Sequence, residues 1–372
     1  MREGDLSDDA TCYDALLVGR MRDLTRIVAR IPLIGARLAP RVVAASYCEL
    51  RRNGWNCSLH VGGGPNAAGA RLEVNGACVL DVGEAGTDLR CVGRNGGDLE
   101  SVPPRRPACD DVLIARVQST DDVGADLAKL LDQLGGLSSI VRPGARVLLK
   151  ANFNSYHDPP ASTGLDLLTA AVGELEEAGA GVIALGECSA IALGRTREVL
   201  RQAGVTKWAD AHKVEVRCFD EEPWQRCEVP GRRFHEIVVP ACLQEFDHII
   251  YLLCAKTHHQ AGVSLGLKMT IGFMHPAQRL ELHRDHLTER IADASLAVRP
   301  DLAVLDARSC FVTGGPAEGT VASPGVMLAS RNLEALEEQG LDLLEAHGAV
   351  GVETGREQLR GAQTIGAQIP RR

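Results

Sequence analysis

Apolar and polar residues alternate in a regular way from about residue 110 onward. Short apolar runs predict buried strands, and longer segments with apolar residues every three or four positions predict amphipathic helices. The predicted strands are 112–117, 145–149, 182–185, 237–239, 248–254 and 302–305. The predicted helices are 121–134, 165–178 and 195–203, and a glycine follows each of them.

Strands that alternate with helices in this way predict an α/β fold, with a mostly parallel sheet that helices cover on both faces. The predicted domain covers residues 110–350. Ligands of such folds bind outside the carboxyl ends of the strands. We therefore expect functional side chains on the loops that follow the strands.

Residues 1–52 are predicted to form a helical segment, because Leu24, Ile27, Val28 and Ile31 recur with helical spacing. Arginines are frequent between positions 20 and 41, which makes this segment basic within an acidic chain. Two interpretations stay open. The helix could bind a membrane surface or a partner, or it could be packed on the protein with a solvated basic face.

Residues 53–109 are predicted to form a small β-rich region and a linker. Short alternating runs at 70–74, 77–82 and 88–92 predict β-hairpins, and Asn75-Gly76 is a typical hairpin turn. The proline-containing segment 101–107 is predicted to be the linker to the α/β domain. Residues 351–372 are predicted to be a C-terminal tail.

Composition narrows the function classes. The 372-residue chain has a net charge of -9 and only 3% aromatic residues, which argues against nucleic acid as a partner. Its 12 cysteines include no C-x-x-C spacing, so neither a zinc ribbon nor a disulfide scaffold is expected. The chain has no apolar run long enough to span a membrane. We expect a cytoplasmic protein with mostly free thiols.

Polar residues follow two of the predicted strands. Lys150 and Asn152 come after strand 145–149 and are suited to binding an anion, although a lysine reaching water beside an asparagine turn explains them equally well. Glu187 follows strand 182–185 and could be a general base or a metal ligand. Cys188 beside it could be a nucleophile, but an inert buried thiol is the more common case.

The densest polar stretch lies between residues 255 and 286. It contains Lys256, His258, Lys268, His275 and His283, and imidazole can bind metals or move protons near neutral pH. Three interpretations stay open: a divalent transition metal, a metal-free anion site, or a purely structural histidine cluster. For a metal, the predicted ligands are His258, His275 and His283. His283 and His286 would share one face if this stretch were helical.

The last predicted strand ends at Asp306, a second candidate acid or base. A glycine-rich loop at 314–319 follows it. This loop has neither the Lys-Ser/Thr ending of a P-loop nor the helix start of a dinucleotide fingerprint, so ATP and NAD are not predicted as cofactors.

At these residues the chain resembles the DUF362 family, a bacterial and archaeal domain of unknown function. The resemblance spans roughly 112–330. It is carried by segments 134–137, 142–144, 147–152, 177–180, 186–187, 255–258, 266–268, 291–293, 305–307 and 314–316, and by His283. The order and spacing of these pieces make the resemblance specific.

The chain departs from the family pattern beside the suspected site. It has Lys-Ala-Asn at 150–152 where the family usually has Lys-Pro-Asn, and Lys-Met at 268–269 where the family usually has Lys-Asn. Arg-Asn-Leu-Glu at 331–334 replaces an acidic stretch. Many members carry a cysteine-rich ferredoxin module that this chain lacks, so no iron–sulfur cluster is predicted. These departures suggest a specialised member with its own substrate.

A fainter similarity links Lys268, the glycine-containing loop after it and His283 to the Lys-loop-His region of nickel-pincer lactate racemase. That resemblance would imply a metal, or a cofactor attached to the lysine.

The leading hypothesis is an enzyme of a specialised biosynthetic pathway that acts on a small anionic metabolite, in particular a carboxylate. Lys150, Asn152 and Lys256 would bind the anion, and Lys268 would orient the substrate or stabilise an oxyanion. His258 or His283 would move protons with Glu187 or Asp306 as partner. Metal-assisted redox chemistry and isomerisation both stay open. The alternative is a non-catalytic anion-binding or scaffold protein, and a homodimer is left open.

Overall fold

The structure is a computed structural model that describes residues 57–61, 70–74, 77–83, 86–88, 99–105, 112–190, 193, 195–283 and 285–367. The predicted N-terminal helix, the turn at Asn75-Gly76 and the run 89–92 lie outside these residues. The chain divides into two compact units. The larger unit comprises Leu99–Ser189, Thr196–His275 and Leu287–Arg372. In the residues described, no helix combines the length and the apolar character needed to cross a membrane.

Among the described residues of the smaller unit are four strands: β1 (Cys57–Val61), β2 (Ala70–Val74), β3 (Ala77–Gly83) and β4 (Gly86–Asp88). Neighbours in this order pair antiparallel, so the first two predicted β-runs are confirmed as an adjacent antiparallel pair.

The described residues of the larger unit form twelve further strands. They are β5 (Ser101–Val102), β6 (Ile114–Gln118), β7 (Arg146–Lys150), β8 (Val182–Glu187), β9 (Glu215–Cys218), β10 (Trp224–Glu228), β11 (Glu236–Pro240), β12 (His248–His258), β13 (Gly262–Ser264), β14 (Leu302–Gly314), β15 (Gly319–Ala322) and β16 (Val326–Ser330). Of these, β6, β7, β8, β11, β12 and β14 overlap the six predicted apolar runs.

Nine of these strands form the main sheet. Its order is β6-β16-β14-β12-β7-β8-β9, with β13 added beside β12 and β15 beside β14. The central pairs β14/β12, β12/β7, β7/β8 and β8/β9 are parallel, whereas β16 pairs antiparallel with β14 and β6. The predicted α/β class with a mostly parallel sheet is confirmed.

The described residues also form helices. They are α1 (Val123–Asp132), α2 (Leu165–Glu177), α3 (Thr196–Gln202), α4 (Val205–His212), α5 (Gly266–Met269), α6 (Pro276–Leu282), α7 (Leu287–Ala294), α8 (Leu333–Ala346) and α9 (Val352–Gly366). Side chains start two of them, because Asp122 accepts from the Ala125 N–H at 3.0 Å and Asn332 accepts from the Ala335 N–H at 3.0 Å. Such a cap stabilises a helix by about 1 kcal/mol.

One face of the sheet is buried by α1 and α2. Leu127 and Leu130 of α1 and Leu168 of α2 are in the same apolar cluster as Leu149 of β7 and Leu252 of β12. Full burial of such a side chain contributes about 1.5–3 kcal/mol. This packing fixes β7 and β12 side by side at the centre of the sheet.

The chain changes direction between these two central strands. From β7 it continues outward to β8 and β9, and later it returns to place β12 on the other side of β7, followed by β14. The carboxyl ends of strands at such a reversal form a crevice where α/β proteins bind ligands. The predicted site residues Lys150, Glu187 and Lys256 lie on the strands of this crevice.

Three sequence-based boundaries differ from the structure. Strand 237–239 was predicted for the main sheet, but β11 pairs with β10 and β5 in a separate three-stranded sheet. The predicted linker contains β5, and Arg105 forms a β-bridge with Val298. Residues 352–366 of the predicted tail form α9, which buries Leu359 and Ile365. Short edge strands and amphipathic end helices depend on tertiary contacts that a local pattern does not contain.

Residues 276–286 belong to the smaller unit. There α6 ends at Leu282, so His283 and His286 are not on one helix and the condition for a shared helical face is not met. His286 has a positive φ of 48°, a conformation that a helix does not contain.

Candidate functional site

A buried ion pair lies at the carboxyl ends of β7 and β8. Lys150 Nζ lies 2.8 Å from Glu187 Oε1, and the two side chains are 1% and 3% exposed. Lys150 Nζ also donates to the Ala151 carbonyl oxygen at 2.6 Å. The parallel pairing of β7 with β8 ends both strands at the same edge, which brings together two residues 37 positions apart.

The Glu187 carboxylate has further donors around it. Its Oε2 accepts from the Phe153 backbone N–H at 2.7 Å, and its Oε1 accepts from the Cys188 N–H at 2.8 Å. A buried carboxylate with this many donors is held in one orientation. Glu187 is therefore fixed beside Lys150.

The segment Gly266–Phe273, which runs from α5 into a short 3-10 turn, packs on this ion pair. Met269 Sδ lies 3.6 Å from Lys150 Nζ, and the ring of Phe273 lies 5.8 Å from the same atom. A Cβ on Gly272 would come within 2.6 Å of Lys150 Cε and 3.0 Å of Glu187 Oε1. Gly272 is thus required by the close approach of the segment to the lysine.

Lys256 is the second buried lysine. It lies on β12 just after a bulge between Cys254 and Lys256, it is 1% exposed, and its Nζ donates to the Ala161 carbonyl oxygen. Burial lowers the pKa of Lys256, and Lys150 lowers it further, while Cys254 and Glu187 act in the opposite direction. Two ammonium groups therefore share the neighbourhood of one carboxylate.

His258 is two residues further along β12 and almost buried. Its Nδ1 lies 3.2 Å from the backbone nitrogens of both Gln260 and Ala261. Because backbone N–H groups donate, Nδ1 must accept, and the neutral ring carries its proton on Nε2. His258 shares a face of β12 with Lys256, since side chains two apart in a strand point the same way.

Asp306 of β14 is held by an arginine. Arg308 Nη2 lies 2.7 Å from Asp306 Oδ2 and Arg308 Nε lies 3.0 Å from Asp306 Oδ1, while Arg308 Nη1 reaches Asp166 at 2.6 Å. The Arg308 hydrogen bond lowers the pKa of Asp166. Arg308 therefore joins Asp306 and Asp166 in one charge cluster, and the Asp306 carboxylate is already paired.

Two other predicted residues have more peripheral positions. The backbone N–H of Asn152 donates to Thr163 Oγ1 at 2.8 Å, which fixes the loop after β7. Its side chain is half-buried. Lys268 lies on α5 and is also half-buried.

The glycine-rich loop after β14 has a structural contact of its own. A Cβ on Gly315 would lie 1.9 Å from the Thr257 carbonyl oxygen, and His259 Nδ1 lies 2.9 Å from the Gly315 carbonyl oxygen. The loop therefore lies directly on the backbone of β12.

The predicted metal ligands His258, His275 and His283 lie in different parts of the fold. His275 is completely buried with its ring 4.7 Å from that of Trp224, and burial lowers its pKa to about 3. His283 belongs to the smaller unit. Within the described part of the chain, no three His, Cys, Asp or Glu side chains come together as a metal site. Metal binding by these three histidines stays a prediction.

Cys188 is one of six cysteines in the described residues that are free and buried. The others are Cys218, Cys227, Cys242, Cys254 and Cys310. Burial raises the pKa of Cys218, Cys227 and Cys242 to about 12. Buried neutral thiols are inert, which agrees with the structural interpretation of Cys188.

Sequence reasoning missed Arg308 and Glu337. Arg308 follows Asp306 by two residues, so a strand continuing past 305 would have placed both on one face. Glu337 is a buried carboxylate on α8, and its position inside an otherwise apolar helix face was the available signal.

Comparison with known proteins identifies the family. A family model described as "Domain of unknown function (DUF362)" matches residues 147–342, which is more than half of the chain. The chain belongs to the DUF362 family. The matched range includes Lys150, Glu187, Lys256, Lys268 and Asp306, and the predicted family resemblance is confirmed.

A relative of this DUF362 protein is the thylakoid-associated protein sll1697 of Synechocystis sp. (strain ATCC 27184 / PCC 6803 / Kazusa). It is 26% identical over 232 residues, which cover 59% of this chain and 70% of the relative. The expectations about an iron–sulfur module and about lactate racemase stay predictions, as do the homodimer and the cytoplasmic location.

Proposed function

We propose that this chain is an enzyme that binds a small carboxylate metabolite and transfers a proton at the carbon next to the carboxylate, an isomerisation type of chemistry. The observation that carries the proposal is the charge count at the carboxyl ends of β7, β8 and β12. Lys150 and Lys256 are both buried there, and Glu187 is the carboxylate they share.

The excess of one positive charge supports an anionic ligand. A buried charge is costly unless it is paired, and the Lys150–Glu187 pair already neutralises one lysine. Lys256 donates to a backbone carbonyl oxygen and has no carboxylate in direct contact among the described residues. The negative charge of a bound carboxylate would balance Lys256 once its amine has taken up the substrate proton.

The lowered pKa of Lys256 supports a role in proton transfer. Burial lowers the pKa of Lys256 and so favours its neutral amine, which can accept a proton from carbon. His258, on the same face of β12, carries a proton on Nε2 in its neutral form. It would donate a hydrogen bond to the oxyanion that develops on the substrate carboxylate.

The remaining predicted residues have supporting roles in this proposal. Glu187 holds Lys150 in place, and Asp306 is oriented by Arg308. Lys268 on α5 would orient the substrate. No step requires a metal or a redox partner, and proton transfer balances within the substrate and the two side chains.

The test is hydrogen exchange on the substrate. Small mono- and dicarboxylates are screened for binding by thermal shift, with inorganic phosphate as a separate arm, and each ligand is incubated with the protein in D₂O. We expect ¹H NMR to show deuterium at the carbon next to the carboxylate. Lys256→Met should abolish this exchange, whereas Lys207→Met, an exposed lysine on α4, should not.

Two results would contradict the proposal. Deuterium incorporation that is unchanged in Lys256→Met would remove the proposed base. Binding without any incorporation would favour the alternative of a non-catalytic anion-binding protein. Metal analysis of the wild type and of His258→Ala, run in parallel, would show whether a metal is held by that histidine.

A further inference from the structure

The start of the segment Gly266–Phe273 is held by a carboxylate from a distant helix. Glu337 of α8 is 2% exposed, and its Oε2 accepts from the Leu267 backbone N–H at 3.0 Å. The Gly266 N–H is a second backbone donor to the same carboxylate. Glu337 is thus in direct contact with the first two residues of α5.

The approach of α8 to this point is close. A Cβ on Gly266 would lie 2.5 Å from Leu333 Cδ1 and 3.2 Å from Glu337 Oε2. A Cβ on Gly340 would lie 3.0 Å from Leu265 Cδ1. Gly266 and Gly340 therefore allow α8 to approach the segment closely, and Glu337 holds the first turn of the segment in place.

The other end of the same segment covers the candidate site. Met269 and Gly272 contact Lys150, and the ring of Phe273 lies close to its ammonium group. In the sequence, Lys268 lies between Leu267, which contacts Glu337, and Met269, which contacts Lys150. A shift at Leu267 would therefore move Lys268 and loosen the packing on the Lys150–Glu187 pair.

We propose that Glu337 is a positioning residue, which in its ionised form fixes the Gly266–Phe273 segment and so sets Lys268 and the packing on Lys150. The proposal rests on the proposed function for what the segment then does, but the contact itself can be tested without a substrate.

The charge of Glu337 is set by its surroundings. Burial raises its pKa to about 7, while the N–H groups of Leu267 and Gly266 and the charge of Arg299 act to lower it, and Glu334 acts to raise it. Arg299 Nη2 is itself 2.7 Å from Glu334 Oε1. Below neutral pH one oxygen of Glu337 becomes a donor, and the carboxyl group then accepts more weakly from the backbone.

The experiment is amide hydrogen–deuterium exchange of the full chain across pH 5.5 to 8.5, corrected for the intrinsic exchange rate at each pH. An opening that breaks only these two hydrogen bonds leaves the carboxylate buried without its backbone donors, so ionised Glu337 opposes it. We therefore expect the amide hydrogens of Gly266 and Leu267 in the wild type to become better protected as the pH rises through about 7. Glu337→Gln keeps the side-chain volume and one acceptor oxygen. We expect it to speed this exchange by about tenfold at pH 8 and to remove the pH dependence.

The matched control is Glu334→Gln, one turn earlier on α8. It removes a carboxylate next to the same Arg299 but does not touch the segment, so exchange at Leu267 should keep its pH dependence. A side chain that only filled space would tolerate glutamine, so unchanged exchange in Glu337→Gln would overturn the proposal. A flat pH profile in the wild type would overturn it as well, whether or not any variant folds.

This readout separates the two proposals. Exchange at Gly266 and Leu267 needs no ligand, so it can succeed even if no carboxylate is deuterated. If a carboxylate is deuterated, its rate should decline below pH 7 in the wild type and in Glu334→Gln, and Glu337→Gln should lower it at all pH values. A Glu337→Gln protein with the wild-type rate and pH profile would contradict the positioning role.

Discussion

Lys150 Nζ lies 2.8 Å from Glu187 Oε1 inside the protein, where both side chains are almost fully removed from water. Glu187→Gln would leave the lysine as an uncompensated buried charge. We expect the variant to lose about 3–5 kcal/mol of unfolding free energy, measured by urea denaturation near pH 7.

The control for that variant is Glu221→Gln, because Glu221 forms an ion pair with Arg197 at 2.6 Å in which the side chains are 35% and 64% exposed. Exposed pairs contribute at most about 1 kcal/mol. Equal losses in the two variants would show that burial of the Lys150–Glu187 pair has no energetic consequence.

Gly272→Ala should disturb the Lys150–Glu187 pair by crowding the lysine side chain. The added methyl group would meet Lys150 Cε at 2.6 Å, and the lysine is confined by its contacts with Glu187 and Ala151. We expect a loss of about 1–3 kcal/mol in unfolding free energy from overpacking.

A matched control is Gly173→Ala in the middle of α2, where an added Cβ has no atom within 4 Å. There alanine should stabilise the protein by about 0.5–1 kcal/mol. The overpacking explanation would fail if both alanine variants changed stability in the same direction.

Much of the central sheet could be predicted from the sequence, because β7, β8 and β12 are apolar runs that end in polar residues. The sequence pattern predicts Lys150, Glu187 and Lys256 as site residues. It does not predict the groups that they contact. The register that brings Lys150 to Glu187 and the bulge before Lys256 depend on contacts between strands, which a single run of residues does not contain.

The histidines show a second limit of sequence-based prediction. Their density between 258 and 286 does not say on which elements they lie. His275 is buried against Trp224, whereas His258 stays on β12 and His283 is in the smaller unit.

Glu337 should make the folded protein less stable as the pH rises from about 4.5 to about 7. In that range the folded state keeps a proton that the unfolded state has lost, so each increase in pH favours unfolding. Over the whole range this contributes up to about 3 kcal/mol. Above pH 7 both states are ionised and the contribution is constant.

The measurement is urea denaturation at pH 5, 6, 7 and 8 for the wild type and Glu337→Gln. Other groups titrate in the same range, so the quantity of interest is the difference between the two proteins. That difference should shift in favour of the glutamine variant as the pH rises. A difference that is independent of pH would show that Glu337 titrates normally in the folded state.

His275 should act on stability in the opposite direction. Burial lowers its pKa from 6.5 to about 3, so the folded protein keeps the ring neutral while the unfolded chain takes up a proton below pH 6.5. The stability that His275 contributes is present above pH 6.5 and is lost as the pH falls. His275→Gln, which does not titrate, should therefore weaken the loss of stability between pH 6.5 and 4.5.

The His275 ring itself can be followed by NMR in the wild type, where its carbon-bound proton should keep one chemical shift down to about pH 4. A ring that titrates near pH 6.5 would show that His275 reaches water and would reopen its assignment as a metal ligand.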